Sequence, residues 1–248
     1  MSLDAVAHDE AHHPALAHHF DSLEQQSEAT TLGMWVFLVT EVLFFGGLFC
    51  CYLVYRSAYP RAFALGSHEL DVTLGTINTA VLITSSLTMA LAVHAAQMGQ
   101  QRVLTLFLLA TMALGATFLV IKGVEYYHKF EECPAMVAML HLPAQHEGGA
   151  EAGAACHVPG PHFSFEPADQ AKHAQIFFSL YFIMTGLHAV HMIIGLGIMT
   201  WMLWWSSRGV ITADYYSPIE VSGLYWHFVD IVWIFLFPLL YLIGRHAH

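Results

Sequence analysis

The sequence predicts an all-α integral membrane protein, a bundle of five transmembrane helices. Of its 248 residues, 56% are hydrophobic and only 11% are charged, whereas about a quarter of the residues in a soluble domain are charged. Five stretches are apolar over the roughly 20 residues that a helix needs to cross a hydrocarbon core of about 30 Å. The predicted spans are residues 31–55, 72–96, 103–127, 176–205 and 221–244.

The segments outside the spans are polar. Residues 1–28 are acidic and rich in histidine, and they are predicted to form a tail in front of a membrane domain at 29–248. Clustered histidines can bind metal, but their irregular spacing favours a solvated tail. The tail has no Lys or Arg and no apolar run, so it lacks the pattern of a signal peptide. A net charge of −11 and the lack of a Gly-rich phosphate loop argue against a nucleic-acid partner.

The first span contains a single charged residue, Glu41. Ionisable residues at this depth are costly and are usually functional. Desolvation disfavours the ionised form, and this span offers no cation to offset it. Two interpretations stay open: a carboxyl group that exchanges protons, or a protonated carboxyl that forms a hydrogen bond with a neighbouring helix.

The second and third spans carry few polar groups. After a polar turn at 56–71, the second span has Asn78 and Thr79 near its start and His94 near its end, which we interpret as formers of hydrogen bonds between helices. In the third span, Lys122 and Glu125 are three residues apart and are predicted to pair near the membrane interface.

The segment 128–172 is predicted to be a long loop outside the membrane. Its cysteines, Cys133 and Cys156, can form a disulfide if the loop lies on an oxidising side. A zinc site with the nearby histidines is the alternative, although the spacings fit no standard pattern. No Cys-x-x-Cys-His motif is present, so covalent haem attachment is not predicted.

The last two spans each hold a pair of ionisable residues with a spacing of three. His188 and His191 lie in the fourth span, while His227 and Asp230 lie in the fifth, where Trp233 borders the same stripe. The simplest interpretation is that these groups satisfy one another and neighbouring helices. The alternative is a proton or metal site, as in a membrane di-iron enzyme or in a proton carrier that uses Glu41 and Asp230.

Several motifs, in this order along the chain, resemble subunit III of the haem-copper respiratory oxidases, in its five-helix form. The most specific are Thr-Gly-Leu-His-Ala-Val-His-Met-Ile-Ile-Gly at 185–195 and Trp-His-Phe-Val-Asp at 226–230. Weaker matches are Thr-Glu-Val-Leu-Phe-Phe at 40–45, Asn-Thr at 78–79, Glu-Tyr at 125–126 and the position of His94. Together they cover all five spans.

The resemblance implies a noncatalytic subunit of a cytochrome c oxidase. Such a chain carries no metal or redox centre itself; haem and copper belong to a partner, subunit I, which it stabilises while supporting proton uptake. Other oxidase subunits, membrane lipids and a bound phospholipid are further expected partners. Glu41 is the residue implied in proton exchange. Buried structural or lipid-facing roles are implied for His94, Glu125, His188, His191, His227, Asp230 and Trp233.

The resemblance leaves three matters open. Longer family members have two further helices before the Glu41 helix, which create a lipid-holding cleft that this chain would complete only with another subunit. Accessory subunits of quinol oxidases and nitric oxide reductases are close alternatives. The family implies a bacterial inner membrane with the N-terminus in the cytoplasm. The Lys and Arg residues flanking the spans favour the opposite orientation, because most of them lie on the face away from the N-terminus.

Overall fold

The computed structural model describes residues 16–68, 70–132, 169–213 and 215–242. These residues form helices and, within these ranges, no strand. In chain order the helices are α1 (Leu23–Ala58), α2 (Pro60–His68), α3 (Val72–Gln97), α4 (Gln101–Glu132), α5 (Asp169–Ser207) and α6 (Ser217–Phe237), and a π-helical turn (Pro238–Leu242) follows α6.

Five of these helices are long and apolar enough to cross a membrane, which confirms the predicted fold class. The stretches that meet this requirement lie in α1, α3, α4, α5 and α6; the last one includes the π-helical turn. The short helix α2 is too short to span.

The observed helices exceed the predicted spans at several ends. Helix α1 begins at Leu23 rather than near residue 31, because the Ser22 hydroxyl accepts a hydrogen bond from the Gln25 backbone N–H at 3.2 Å and caps the helix. The predicted turn at 56–71 contains α2, whose first residue is Pro60, a position that proline favours. Helices α4 and α5 also extend into the segment predicted to be a loop.

Local sequence explains other helix ends. The Asp71 carboxylate accepts hydrogen bonds from the backbone N–H groups of Thr73 (2.8 Å) and Leu74 (3.2 Å) at the start of α3. Gly99 and Gly209 follow α3 and α5 with φ angles of 68° and 70°. Only glycine adopts this left-handed conformation without strain, so both positions terminate their helices.

The chain divides into two compact units, and every spanning helix contributes a segment to each. The first unit contains residues up to Phe44 together with Val81–Ala116 and Val190–Ile231. The second unit contains Phe45–Ala80, Thr117–Ala189 and the residues from Val232 onward.

Each unit is built around a fully buried tryptophan from α6. In the first unit, Trp226 fills the space beside Gly115 and Gly195, where an added Cβ would lie 2.7 and 2.9 Å from its ring, and its Nε1 donates to Ser85 Oγ at 3.0 Å. In the second unit, Trp233 packs edge-to-face on Phe118 with ring centroids 4.8 Å apart.

Candidate functional site

In the second unit, a lysine and a glutamate form a buried ion pair. Lys122 Nζ donates to Glu125 Oε2 at 2.8 Å, and the two side chains are only 6% and 4% exposed. The hydroxyl groups of Tyr181 and Tyr241 both donate to the other carboxylate oxygen, Glu125 Oε1, at 2.8 Å. The pair predicted from the sequence is therefore present, but its carboxylate is enclosed by tyrosines.

Aromatic rings cover the ammonium group of this pair. Lys122 Nζ lies 4.7, 5.0 and 5.7 Å from the ring centroids of Trp233, Tyr241 and Tyr181. At these distances the negative faces of the rings attract a cation. The ion pair is thus compensated by hydrogen bonds on one side and by cation–π contacts on the other.

The π-helical turn places Tyr241 in this cluster. Pro238 has no backbone N–H and cannot continue the α-helical hydrogen-bond ladder of α6. The Leu239 carbonyl at this turn instead accepts a hydrogen bond from the Tyr52 hydroxyl of α1 at 2.7 Å. The proline therefore changes the helical register just before Tyr241.

In the first unit, Glu41 of α1 contacts His191 of α5. The distance between His191 Nε2 and Glu41 Oε2 is 3.2 Å, and the side chains are 14% and 18% exposed. Tyr225 of α6 lies beside them, because its hydroxyl donates to the His191 backbone carbonyl at 3.1 Å. Glu41 thus contacts a histidine on a distant helix and remains partly accessible.

The first unit also contains His227 and Asp230 of α6. His227 Nδ1 lies 2.7 Å from the hydroxyl of Ser86 on α3. Asp230 is 3% exposed, and neither of its carboxylate oxygens has a hydrogen bond of regular geometry within the described ranges. His227 and Asp230 therefore do not satisfy each other as predicted, whereas the predicted contact with a neighbouring helix is present at His227.

The histidine pair of α5 does not form one site. His188 is 1% exposed and packs in the second unit, where its ring centroid lies 5.4 Å from that of Phe118 and 5.3 Å from that of Trp233. His191 contacts Glu41 in the first unit. No group of three or more His, Cys, Asp or Glu residues in the described part of the chain is arranged to hold a metal ion.

Three polar residues of α3 are predicted to form hydrogen bonds between helices, and the structure shows such a bond for one of them. The Thr79 hydroxyl accepts a hydrogen bond from Trp233 Nε1 at 3.0 Å, as expected of a residue that links helices. Asn78 is fully buried, but its amide has no hydrogen-bond partner among the residues that the structure covers. His94 is exposed. The hydrogen bonds between helices predicted for Asn78 and His94 are not formed within the described residues, while a lipid-facing role for His94 stays a prediction.

Two predictions lie outside the described residues. They are the disulfide between Cys133 and Cys156, together with the loop that carries them, and most of the polar tail. The sequence analysis in turn missed Ser86, Tyr181 and Tyr241. Tyr181 and Tyr241 sit within apolar spans, where a hydroxyl needs a partner, and that requirement was an available signal.

The fold and the site define the class: an all-α membrane protein whose spans bury ionisable side chains and pair some of them between helices. The model of the family described as cytochrome c oxidase subunit III matches residues 15–133 and 163–245. The chain belongs to this family.

Three relatives illustrate the range of the family. The chain is 28% identical to cytochrome c oxidase subunit 3 of Thermostichus vulcanus over 91% of this chain and 92% of that protein. It is 30% identical to quinol oxidase subunit 3 of Bacillus subtilis, covering 90% and 92%. It is 31% identical to cytochrome c oxidase subunit 3 of Synechocystis, covering 85% and 74%. Sequence identity therefore does not separate the two oxidase types.

Proposed function

We propose that this chain is the noncatalytic subunit III of a respiratory haem-copper oxidase of the cytochrome c type. It binds the haem- and copper-bearing subunit I, stabilises it during turnover and supports proton uptake, while holding no redox centre itself. Family membership and the named relatives support the oxidase complex as its setting. A bound phospholipid is part of the proposal.

The observation that carries the proton role is the contact between Glu41 and His191. Both groups can take up and release a proton, and they lie 3.2 Å apart while remaining partly exposed inside apolar helices. A carboxyl group that contacts its histidine through one oxygen keeps lone pairs available for water, lipid or a neighbouring subunit. Functional ionisable residues in membranes typically occupy such positions.

Oxygen consumption of three variants against pH tests this role. Glu41→Gln keeps the shape and a hydrogen-bond donor but removes titration, whereas Glu41→Ala removes both. For proton exchange, we expect both variants to slow turnover, most clearly at high pH where proton supply limits. Thr40→Val is the matched control, because the Thr40 hydroxyl is exposed and donates to the Phe37 carbonyl of its own helix. Parent rates in Glu41→Gln, with normal subunit content, would assign Glu41 a structural role only.

Dependence on a partner is tested separately. The spans expose large apolar side chains and carry buried ionisable groups, and these features favour assembly with other protein. We expect the amount of this chain in the membrane to fall when the gene for the catalytic subunit is deleted. Undiminished, monodisperse chain in that background would favour an independent proton carrier.

The quinol oxidase type is the second candidate, because the Bacillus subtilis relative is as similar as the cytochrome c oxidase relatives. The electron donor binds elsewhere in such a complex, so the complex itself must be analysed. Mass spectrometry of the co-purifying chains, haem absorption spectra and turnover with reduced cytochrome c or with quinol distinguish the two types.

We further propose a bacterial inner-membrane location with the N-terminus in the cytoplasm and a disulfide between Cys133 and Cys156 on the opposite side. Impermeant thiol reagents on intact cells test both proposals. The assay uses a background lacking Cys50 and Cys51, which are free and exposed in α1. We expect Cys133 and Cys156 to be labelled from outside the cell, and only after a reducing agent has opened the disulfide. Labelling of both residues from the cytoplasmic side alone would contradict the orientation and the disulfide.

A further inference from the structure

Tyr225 of α6 contacts both of the helices that bring Glu41 and His191 together. On α5, its hydroxyl donates to the backbone carbonyl of His191 at 3.1 Å. On α1, its ring stacks on the ring of Phe37, with the centroids 6.0 Å apart and an interplanar angle of 30°. All four residues belong to the first unit. One side chain therefore joins α1 and α5 through two different contacts.

Both contacts lie within one helical turn of the Glu41–His191 pair. Phe37 precedes Glu41 by four residues, so their side chains are neighbours on one face of α1. The Tyr225 hydroxyl meets α5 at His191 itself. A shift of either helix at Tyr225 would therefore change the distance of 3.2 Å between His191 Nε2 and Glu41 Oε2.

A glycine allows Tyr225 to lie this close to α5. Gly195 follows His191 by four residues, and a Cβ added to it would lie 3.3 Å from Tyr225 Cε1 and 2.9 Å from the Trp226 ring. The Tyr225 side chain is itself only 4% exposed. Interiors packed at this density leave an aromatic ring little freedom to move. The ring of Tyr225 therefore sets the spacing of α6 from α5 beside His191.

The hydroxyl of Tyr225 adds something that the ring alone does not supply. A phenylalanine would stack on Phe37 and pack against Gly195 in the same way. A buried hydroxyl requires a hydrogen-bond partner, and this one has its partner on the backbone of the residue that contacts Glu41. Because a backbone hydrogen bond restrains the point from which a side chain extends, it restrains the His191 imidazole as well.

We propose that Tyr225 is a positioning residue for the Glu41–His191 contact. It fixes α1 and α5 beside the pair and so holds the Glu41 carboxyl oxygen and the His191 imidazole nitrogen within hydrogen-bond distance. Tyr225 exchanges no proton itself and acts through the geometry of the pair. Its effect on turnover rests on the proposed proton role of Glu41, whereas the positioning does not.

Infrared spectroscopy of the complex that contains this chain, with ¹³C at the glutamate side-chain carboxyls, tests the positioning. The Glu41 band is the one that Glu41→Gln removes, and His191→Gln shows where this band lies once the contact is lost. We expect Tyr225→Leu, which removes the ring and the hydroxyl, to move the band as His191→Gln does, and Tyr225→Phe to move it less. The matched control is Ser222→Ala, because the buried Ser222 hydroxyl of α6 donates to the Pro218 carbonyl of its own helix; the band should stay in place.

Oxygen consumption against pH tests the consequence for turnover. We expect Tyr225→Leu to slow turnover most clearly at high pH, as expected for Glu41→Gln. Combining the two changes should slow turnover no further than Glu41→Gln alone, because both act through the same contact and are then not additive. A combined variant slowed by the product of the two single effects would assign Tyr225 an independent structural role and overturn the proposal.

The two measurements separate the positioning from the proton role. An unchanged Glu41 band in Tyr225→Leu, or in His191→Gln, overturns the positioning whatever the turnover. A moved band together with parent turnover in Glu41→Gln supports the positioning and contradicts the proton role of Glu41. If Tyr225→Leu fails to assemble, Tyr225→Phe retains the ring, and an unmoved band in that variant overturns the proposal.

Discussion

The Lys122–Glu125 pair and the Glu41–His191 pair, both among the described residues, differ in their surroundings. In the second unit, Lys122 and Glu125 are 6% and 4% exposed, and two tyrosine hydroxyls and three aromatic rings surround them. In the first unit, His191 and Glu41 are 14% and 18% exposed and meet at 3.2 Å. The Lys122–Glu125 pair is enclosed, whereas the Glu41–His191 pair is partly exposed. We call them the enclosed pair and the open pair.

The difference separates a structural role from a chemical one. A fully satisfied buried network rigidifies its surroundings, and loss of one member leaves the others uncompensated. A partly exposed pair contributes little to stability, so a change at Glu41 can alter function without unfolding the protein. We therefore expect changes at Lys122 to affect folding and changes at Glu41 to affect turnover.

The largest expected effect follows from Lys122→Met, which keeps an unbranched side chain one atom shorter than lysine but removes the charge. The Glu125 carboxylate would then be buried without a cation, and we expect a loss of about 3–5 kcal/mol in the free energy of unfolding. Denaturant unfolding in detergent measures it. Lys122→Met combined with Glu125→Gln is the control, because no uncompensated charge remains. If the double variant is as unstable as the single one, the stabilisation does not come from the ion pair.

The sequence was sufficient to predict the five spans and the Lys122–Glu125 pair. Long apolar runs determine membrane helices directly. The two residues of this pair are three apart in one helix, so local geometry alone brings them together. The tyrosines that enclose the pair come from other helices, and Tyr241 also depends on the change of register after Pro238. No local pattern encodes that arrangement.

Contacts between distant segments could not be predicted. Glu41 and His191 are 150 residues apart, and their contact depends on how α1 and α5 pack. Residues three apart on a helix are also offset by about 60° around its axis, given 3.6 residues per turn. That offset allows His188 and His191 to contact different units, and it allows His227 to contact Ser86 instead of Asp230.

A smaller effect is expected when a tyrosine of the enclosed pair loses its hydroxyl. Tyr241→Phe removes a hydrogen bond to the charged Glu125, and we expect a cost of about 1.5–3 kcal/mol. The matched control is Tyr225→Phe, which removes a hydrogen bond to the neutral His191 carbonyl and should cost about 0.5–1.5 kcal/mol. Denaturant unfolding of both variants in the same detergent measures the two losses of stability. Equal costs would mean that the Glu125 site is not unusually sensitive.

The smallest expected effect on stability is at the open pair. A double-mutant cycle of Glu41→Gln and His191→Gln isolates the energy of their contact from the other effects of each change. Because both side chains are partly exposed and share one contact, we expect a coupling of about 0.2–1 kcal/mol in denaturant unfolding. The Lys122–Glu125 cycle, measured in the same detergent, should give a clearly larger coupling, since both of its groups are desolvated. If the Glu41–His191 coupling equals or exceeds it, the open pair is a structural element, and slower turnover in Glu41 variants would then reflect a loosened fold rather than lost proton exchange.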